Sequence, residues 1–397
     1  MSTLPFEVLG PAQLRARTSI KWQHYGPDVL PLWVAEMDVL PAPEVVEALV
    51  RAARTGDTGY PGAGHRYAES FAAFAERRWG WRPDPADTLV CADVMSGIRA
   101  LVQHLTPRGG TVLIPSPVYP PFRLFAAEVE RRVVQVPLTD AGRLDLEVIE
   151  TALAEAAVGP ADRSDAGTPD PRPGRAVLLL CSPHNPTGAV HTREELLAVA
   201  AAAERSGAVV VVDEVHAPLV PAGAAFEPWL ALTDSGYVVT SAAKAFNLPG
   251  LKAGVIVAGA VERGQLARLP ESVKYGASHL GVIGHTAAWD ADPAWLDGVN
   301  ANIAVNRAAL AALLADRLPQ VGYRSPESTY LAWLDCRELG LGADPADAFL
   351  RRGRVALTNG PPFGVGGAGH ARINLACSAA VLAEAVDRMA GVVGAAR

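Results

Sequence analysis

Lysine is scarce in this chain: of 397 residues, only Lys21, Lys244, Lys252 and Lys274 carry an ε-amine. Cysteine is equally sparse, and Cys91, Cys181, Cys336 and Cys377 stand far apart. They form neither a paired metal-ligand spacing nor a disulfide framework, so no metal site is expected and buried thiols in a reducing compartment are. No apolar run reaches the roughly 18 residues that span a bilayer, and the N-terminus lacks a basic stretch followed by an apolar core. A cytoplasmic protein without a membrane partner is the expectation. A formal charge of -7 with no basic run argues against nucleic acid or an anionic membrane as the main partner, which leaves a small molecule. No GxGxxG opens the chain, so a dinucleotide fold is disfavoured.

What is present reads as a globular protein long enough for two or three domains, half hydrophobic and 19% charged. Residues 1–45 hold Pro5, Pro11, Pro27, Pro31, Pro41 and Pro43. Each removes a backbone donor, so this stretch is expected to be an extended arm without a long helix. Strand character at 89–92 leads into a helix through Ile98, Leu101, Val102 and Leu105. Short apolar strands are then expected at 111–114, 132–136, 176–181, 208–212, 237–240 and 254–258. Helices are expected at 67–79, 119–128, 145–157 and 192–206. Such alternation implies an α/β fold with a largely parallel sheet covered by helices, over residues 46–288. The Pro-, Gly- and Asp-rich stretch 159–174 has too little apolar surface to offset its ordering entropy and reads as a surface loop. A smaller α+β domain over 289–397 is expected to hold a helix at 299–317, strands near 329–335, 354–358 and 372–376, and a final helix from 379. The arm is expected to join it.

The chemistry gathers at strand ends. Lys244 sits in Ser241-Ala-Ala-Lys-Ala-Phe-Asn-Leu-Pro-Gly250, poor in charge and small on its N-terminal side. A desolvating setting of that kind lowers an amine's pKa and makes it a nucleophile toward an aldehyde, although a surface lysine fits the motif alone. Asp213 ends a valine run, where it could hold a pyridine nitrogen protonated or cap the next helix. Asn185 follows the strand ending at Cys181 and offers an amide to a phenolate oxygen. Tyr119, in Pro117-Val-Tyr-Pro-Pro-Phe122, offers a flat face to a ring. The strand, small residues and helix start around Gly97 would present amides to an anion. Tyr60 is displayed on a Gly-Tyr-Pro-Gly turn, and Trp33 lines a pocket or anchors the arm.

Together, Ser-x-x-Lys, Asn-Pro-x-Gly and an aspartate after a valine run resemble the fold-type I, aspartate-aminotransferase-like enzymes of pyridoxal 5'-phosphate. Pro-Leu-Trp-Val-Ala-Glu-Met-Asp at 31–38, Pro-Val-Tyr-Pro-Pro-Phe at 117–122, Asp-Glu-Val-His at 213–216 and Ala-Phe-Asn-Leu-Pro-Gly-Leu at 245–251 look more closely like the MalY/PatB group of cystathionine beta-lyases.

The resemblance implies a seven-stranded large domain, a homodimer with shared active sites and an amino-acid substrate. It implies Lys244 as the Schiff-base lysine, Asp213 as partner of the pyridinium nitrogen, Asn185 as donor to O3' and Tyr119 as the stacking residue. It assigns the phosphate to the Gly97 and Ile98 amides, the Ser241 hydroxyl and Lys252, and gives His216 the place beside O3' where many aminotransferases have tyrosine. Tyr60 would reach the other subunit's phosphate. Arg372, Asn185, Trp33 and Tyr60 would meet the substrate, with Arg372 clamping its carboxylate. Lys252 stands where many relatives have arginine, Glu36 where the lyases show aspartate, and Pro218 where an acid is common. The implied activity is β-elimination from L-cystathionine or another cysteine S-conjugate. An aminotransferase, or an enzyme acting on a sulfur-containing biosynthetic intermediate, is the alternative.

Overall fold

The computed structural model describes residues 4–62, 64–158 and 176–394, so the expected loop at 159–174 lies outside the described residues. Seven strands form the main sheet: β1 (Thr88–Cys91), β2 (Thr111–Ser116), β3 (Arg132–Pro137), β4 (Ala176–Cys181), β5 (Val209–Asp213), β6 (Tyr237–Thr240) and β7 (Gly254–Ala258). Their order is β1-β7-β6-β5-β4-β2-β3, with β7 antiparallel to both neighbours and the others parallel. In β4 and β5, Leu178, Leu180, Val210 and Val212 enter the core on one face, while Val177, Leu179 and Val211 enter that on the other. Burial on both faces is why these strands read as unbroken apolar runs. The expected mostly parallel sheet is therefore present.

Crossover helices keep the strands parallel and bring their C-terminal ends to one edge. The order reverses between β2 and β4, and ligands collect in the crevice at such a switch point. Tyr119 follows β2 and Asn185 follows β4, and the Tyr119 N–H donates to the Asn185 carbonyl at 3.1 Å.

A second core gathers Leu30, Leu310, Leu334, Phe349, Ile373 and Met389 around a four-stranded antiparallel sheet. The helix Pro293–Arg317 contributes Leu296, Val299 and Ile303 to the large core and Leu310 and Leu314 to the small one. Passage from one core to the other thus falls inside a continuous helix. The arm contributes Leu30 and Pro31, paired in parallel with Val355 and Ala356.

Several local expectations are corrected. The helix expected at 299–317 starts six residues earlier, because Asp292 accepts from the Ala294 N–H at 2.9 Å and Pro293 occupies the first position, where its missing donor costs nothing. A helix begins inside the supposed extended arm, Pro43–Thr55, again with proline first. It packs near His279–Trp289, a helix that the sequence reading did not identify. The strand expected at 354–358 is two: Val355–Ala356 pairs with the arm, and Thr358–Asn359 pairs with His370–Asn374. All four cysteines are buried and unpaired, as expected. Among the described residues, no helix is long and apolar enough to cross a membrane.

Candidate active site

A cavity of about 330 Å³ opens at the C-terminal ends of the strands. Its wall includes Tyr119, Asn185, Asp213, His216, Ser241, Lys244, Lys252 and Arg372, drawn from six separate loops and strands, together with Val34 and Ala35 of the arm. The arm segment is tied down from three directions. Asn374 Nδ2 donates to the Val34 and Glu36 carbonyls at 2.8 and 2.6 Å. Asn247, in the left-handed region at φ 56°, accepts from the Met37 N–H and donates back to the Met37 carbonyl, at 2.8 and 2.9 Å. Lys21 is 1% exposed, pairs with Asp38 at 2.7 Å and also reaches the Glu36 carbonyl.

Lys244 Nζ faces the Ala35 carbonyl at 3.4 Å. Burial lowers its pKa to about 8, and the positive Arg372 pushes the same way, against the pull of Asp213 and Glu36. Asp213 is 5% exposed; one oxygen accepts from the Val215 N–H at 3.0 Å, and burial raises its pKa to about 7. A buried carboxylate with so little compensation calls for a cation. Burial, with Lys244 and Arg372 nearby, holds His216 well below the ordinary imidazole range, and its Nδ1 has no hydrogen-bond partner among the described residues.

At the opposite wall, Arg372 donates to Asn185 Oδ1 at 2.9 Å, to the Thr358 hydroxyl at 3.1 Å and to the Trp33 carbonyl at 3.3 Å. Its Nε–H is buried without a partner among the described residues. A guanidinium presents five donors, so capacity remains for a carboxylate.

The anion end differs from expectation. The helix Val94–Leu105 is capped by Asp93, which accepts from the Ser96 N–H at 2.8 Å. The Gly97 amide, expected to bind phosphate, donates instead to the Asp93 carbonyl at 3.0 Å, and Ile98 lies one position deeper with its side chain in the core. Neither lines the cavity; Val94 and Met95 do, and a helix leaves its first amides without internal acceptors. The reason is register: the helix starts at Val94, three residues before Gly97. Lys252 stands beside these amides, paired with Asp93 at 2.9 Å. The Ser241 hydroxyl donates to the Ala253 carbonyl at 2.7 Å and accepts from the Ala243 N–H.

An amine of lowered pKa, an under-compensated carboxylate and an arginine with spare donors thus share one cavity at a switch point. The family model described as aminotransferase class I and II matches residues 27–389. The chain belongs to that family. Within it, a Mycobacterium tuberculosis protein provisionally named cystathionine beta-lyase is 47% identical over 97% of each chain. Cystathionine beta-lyase PatB of Bacillus subtilis is 31% identical, covering 94% of this chain and 95% of its own. The crystal structure of a Corynebacterium diphtheriae protein, provisionally named a PLP-dependent beta-cystathionase, matches with a TM-score of 0.88 at 31% identity over 99% of both chains. The resemblance read from the motifs agrees with these relatives, and the fold is that of the fold-type I aminotransferase family.

Besides Gly97 and Ile98, two further expected site residues stay out of this cavity. The Trp33 ring packs against His24 and Tyr25, with centroids 5.1 and 5.8 Å away, and only its backbone carbonyl reaches Arg372. It anchors the arm. Tyr60 is 92% exposed on its turn and lines no part of its own chain's cavity. Sequence reasoning missed Tyr330, whose hydroxyl donates to the Ala35 carbonyl at 3.1 Å. It also missed the arm-binding amides of Asn247 and Asn374, although Asn247 lies in the 245–251 motif and Asn374 in the expected strand 372–376.

Proposed function

We propose that this chain is a carbon-sulfur β-lyase dependent on pyridoxal 5'-phosphate, cleaving L-cystathionine or related cysteine S-conjugates to pyruvate, ammonia and a thiol. The single observation that carries the site assignment is the shared cavity of Lys244, Asp213 and Arg372. The names of the relatives support the reaction. The residues fit the cofactor: Asp213 lacks the cation that a pyridinium nitrogen supplies, and the Val94 and Met95 amides with Lys252 suit a phosphate. Asn185 offers its Nδ2 to the ring hydroxyl oxygen, and Tyr119 offers an aromatic face.

When bound, pyridoxal phosphate supplies an electron sink for the pair left as the substrate's Cα proton departs. Lys244 Nζ takes that proton; a pKa lowered to about 8 leaves a minor but working fraction of it neutral near physiological pH, far more than an ordinary lysine offers. Arg372 holds the α-carboxylate and fixes which face of Cα meets Lys244. The same pair of electrons then expels the thiolate from Cβ, and one water is consumed as the carbon skeleton ends as pyruvate and ammonia.

We read the enzyme as a homodimer in which Tyr60 serves the neighbouring site; its exposure supports that reading. The test is a product assay on cofactor-loaded protein with L-cystathionine and no 2-oxo acid. Equimolar pyruvate, ammonia and thiol are expected, and Lys244→Ala should lower the rate by about 10³-fold or more. Amino transfer that starts only when a 2-oxo acid is added would replace the lyase with an aminotransferase.

A further inference from the structure

One backbone oxygen joins three parts of the chain. The Ala35 carbonyl, in the arm, faces Lys244 Nζ at 3.4 Å and accepts from Tyr330 Oη at 3.1 Å. Tyr330 is fully buried in the large core, and the strand Leu331–Asp335 of the smaller sheet follows it directly. The residue before it, Thr329, lies at φ 62°, a region that a β-branched side chain rarely adopts. Its carbonyl is gripped by Arg307 Nη2 at 2.6 Å, and its hydroxyl accepts from the Leu331 N–H at 2.7 Å. Such a backbone persists only where its surroundings over-determine it, and here the result is a phenol aimed at one carbonyl.

The neighbouring carbonyls of the arm have other partners. Trp33 O accepts from Arg372, Val34 O and Glu36 O from Asn374, and Met37 O from Asn247. Ala35 O is the one turned toward the amine. When Lys244 removes a proton, a Cα–H bond breaks, an N–H bond forms at Nζ and the electron pair stays with the substrate. The ammonium so formed is enclosed with the positive Arg372 nearby, and it needs an acceptor. A carbonyl oxygen has two lone pairs, so it can hold the phenol and receive the ammonium together.

We propose that Tyr330 is a positioning residue for Lys244: its hydroxyl fixes the Ala35 carbonyl as the acceptor that receives the Lys244 ammonium. The inference deepens the lyase reading and rests on it only where turnover is measured. Tyr330→Phe keeps the ring and its packing and removes one oxygen, so the chain retains its fold. Two readouts are taken. The first is cofactor uptake by apoprotein, followed by absorbance from pH 6 to 10; it reports the neutral fraction of Lys244 and needs no substrate. The variant's midpoint is expected to fall by about half a unit or more, because a less well held carbonyl stabilises the ammonium less. The second is turnover of L-cystathionine, with kcat down about tenfold and KM within about twofold, since Tyr330 acts through Ala35. An unchanged uptake midpoint together with an unchanged kcat overturns the proposal, as does lowered thermal stability as the sole effect. Wild-type protein that takes up cofactor but cleaves no cysteine conjugate overturns the lyase reading instead, and the uptake midpoint still judges Tyr330.

Discussion

Arg372 Nη1 donates to Asn185 Oδ1 at 2.9 Å. A guanidinium has no acceptor, so this contact decides which way the Asn185 amide faces: its oxygen toward Arg372, its NH2 left to donate. One bond therefore couples the group assigned to the substrate's carboxylate to the group assigned to the cofactor's ring oxygen. Arg372→Lys keeps a charge but loses the planar fork. It is expected to raise KM for L-cystathionine by about 30- to 100-fold, equivalent to roughly 2–3 kcal/mol, and to weaken cofactor retention as well. Steady-state kinetics and dialysis of the loaded variant measure the two effects.

Asp213 makes stability depend on pH in a defined direction. Its pKa is about 7 in the folded apoprotein against an ordinary 3.8, so between roughly pH 4 and 7 the native state holds a proton that the unfolded chain has released. Stability contributed by this group is present at low pH, is lost as pH rises through about 7, and stays lost above. Asp213→Asn removes the loss. Urea unfolding of apoprotein should show the variant gaining on the order of 2–4 kcal/mol relative to wild type between pH 5 and pH 8. An equal difference at both pH values would contradict the assignment, while activity of the variant is expected to be lost in any case.

Tyr60 gives the proposed homodimer a direct test. If it serves the neighbour's site, Lys244→Ala and Tyr60→Ala proteins are each weak, but refolding them together creates mixed dimers with one intact site. Recovery of about a quarter of wild-type activity is expected from an equimolar mixture with random pairing. No recovery, or an active monomer by sedimentation, would return Tyr60 to a turn residue without a role in catalysis.

Asn247 holds the arm through both halves of its amide, pairing with the Met37 N–H and carbonyl from a left-handed backbone. Asn247→Ala leaves two buried backbone groups unsatisfied and places alanine at positive φ. A cost of about 2–3 kcal/mol is expected in denaturant unfolding, together with a fall in activity, because the arm forms one wall of the cavity. Asn247→Gly, free of the backbone penalty, should recover about 1 kcal/mol of that stability but not the activity.

The central sheet was legible because strands buried on both faces must be continuous apolar runs, and β4 and β5 show nothing else before Asp213. Lys244, Asp213, Asn185 and Tyr119 were legible because their local motifs place them at strand ends. Gly97 and Ile98 were misread by a few residues: the motif announces a helix start, but the cap at Asp93 decides which amides remain unbonded. The helix Pro43–Thr55 was hidden because its first residue is a proline, read as a breaker although proline is tolerated at a first helical position, as Pro11 also shows in the helix Pro11–Arg15.

By itself, then, the sequence determined most of the elements, the parallel sheet and which polar side chains stand at the strand ends, since each depends on local periodicity, turn chemistry and residue type. Tertiary structure alone decided that the arm roofs the cavity, that Trp33 turns its ring away, and that Lys244 and Tyr330 meet at one carbonyl. Ala35 and Tyr330 are 295 residues apart. Their contact arises where the arm packs into the large core, and no local pattern in the chain records it.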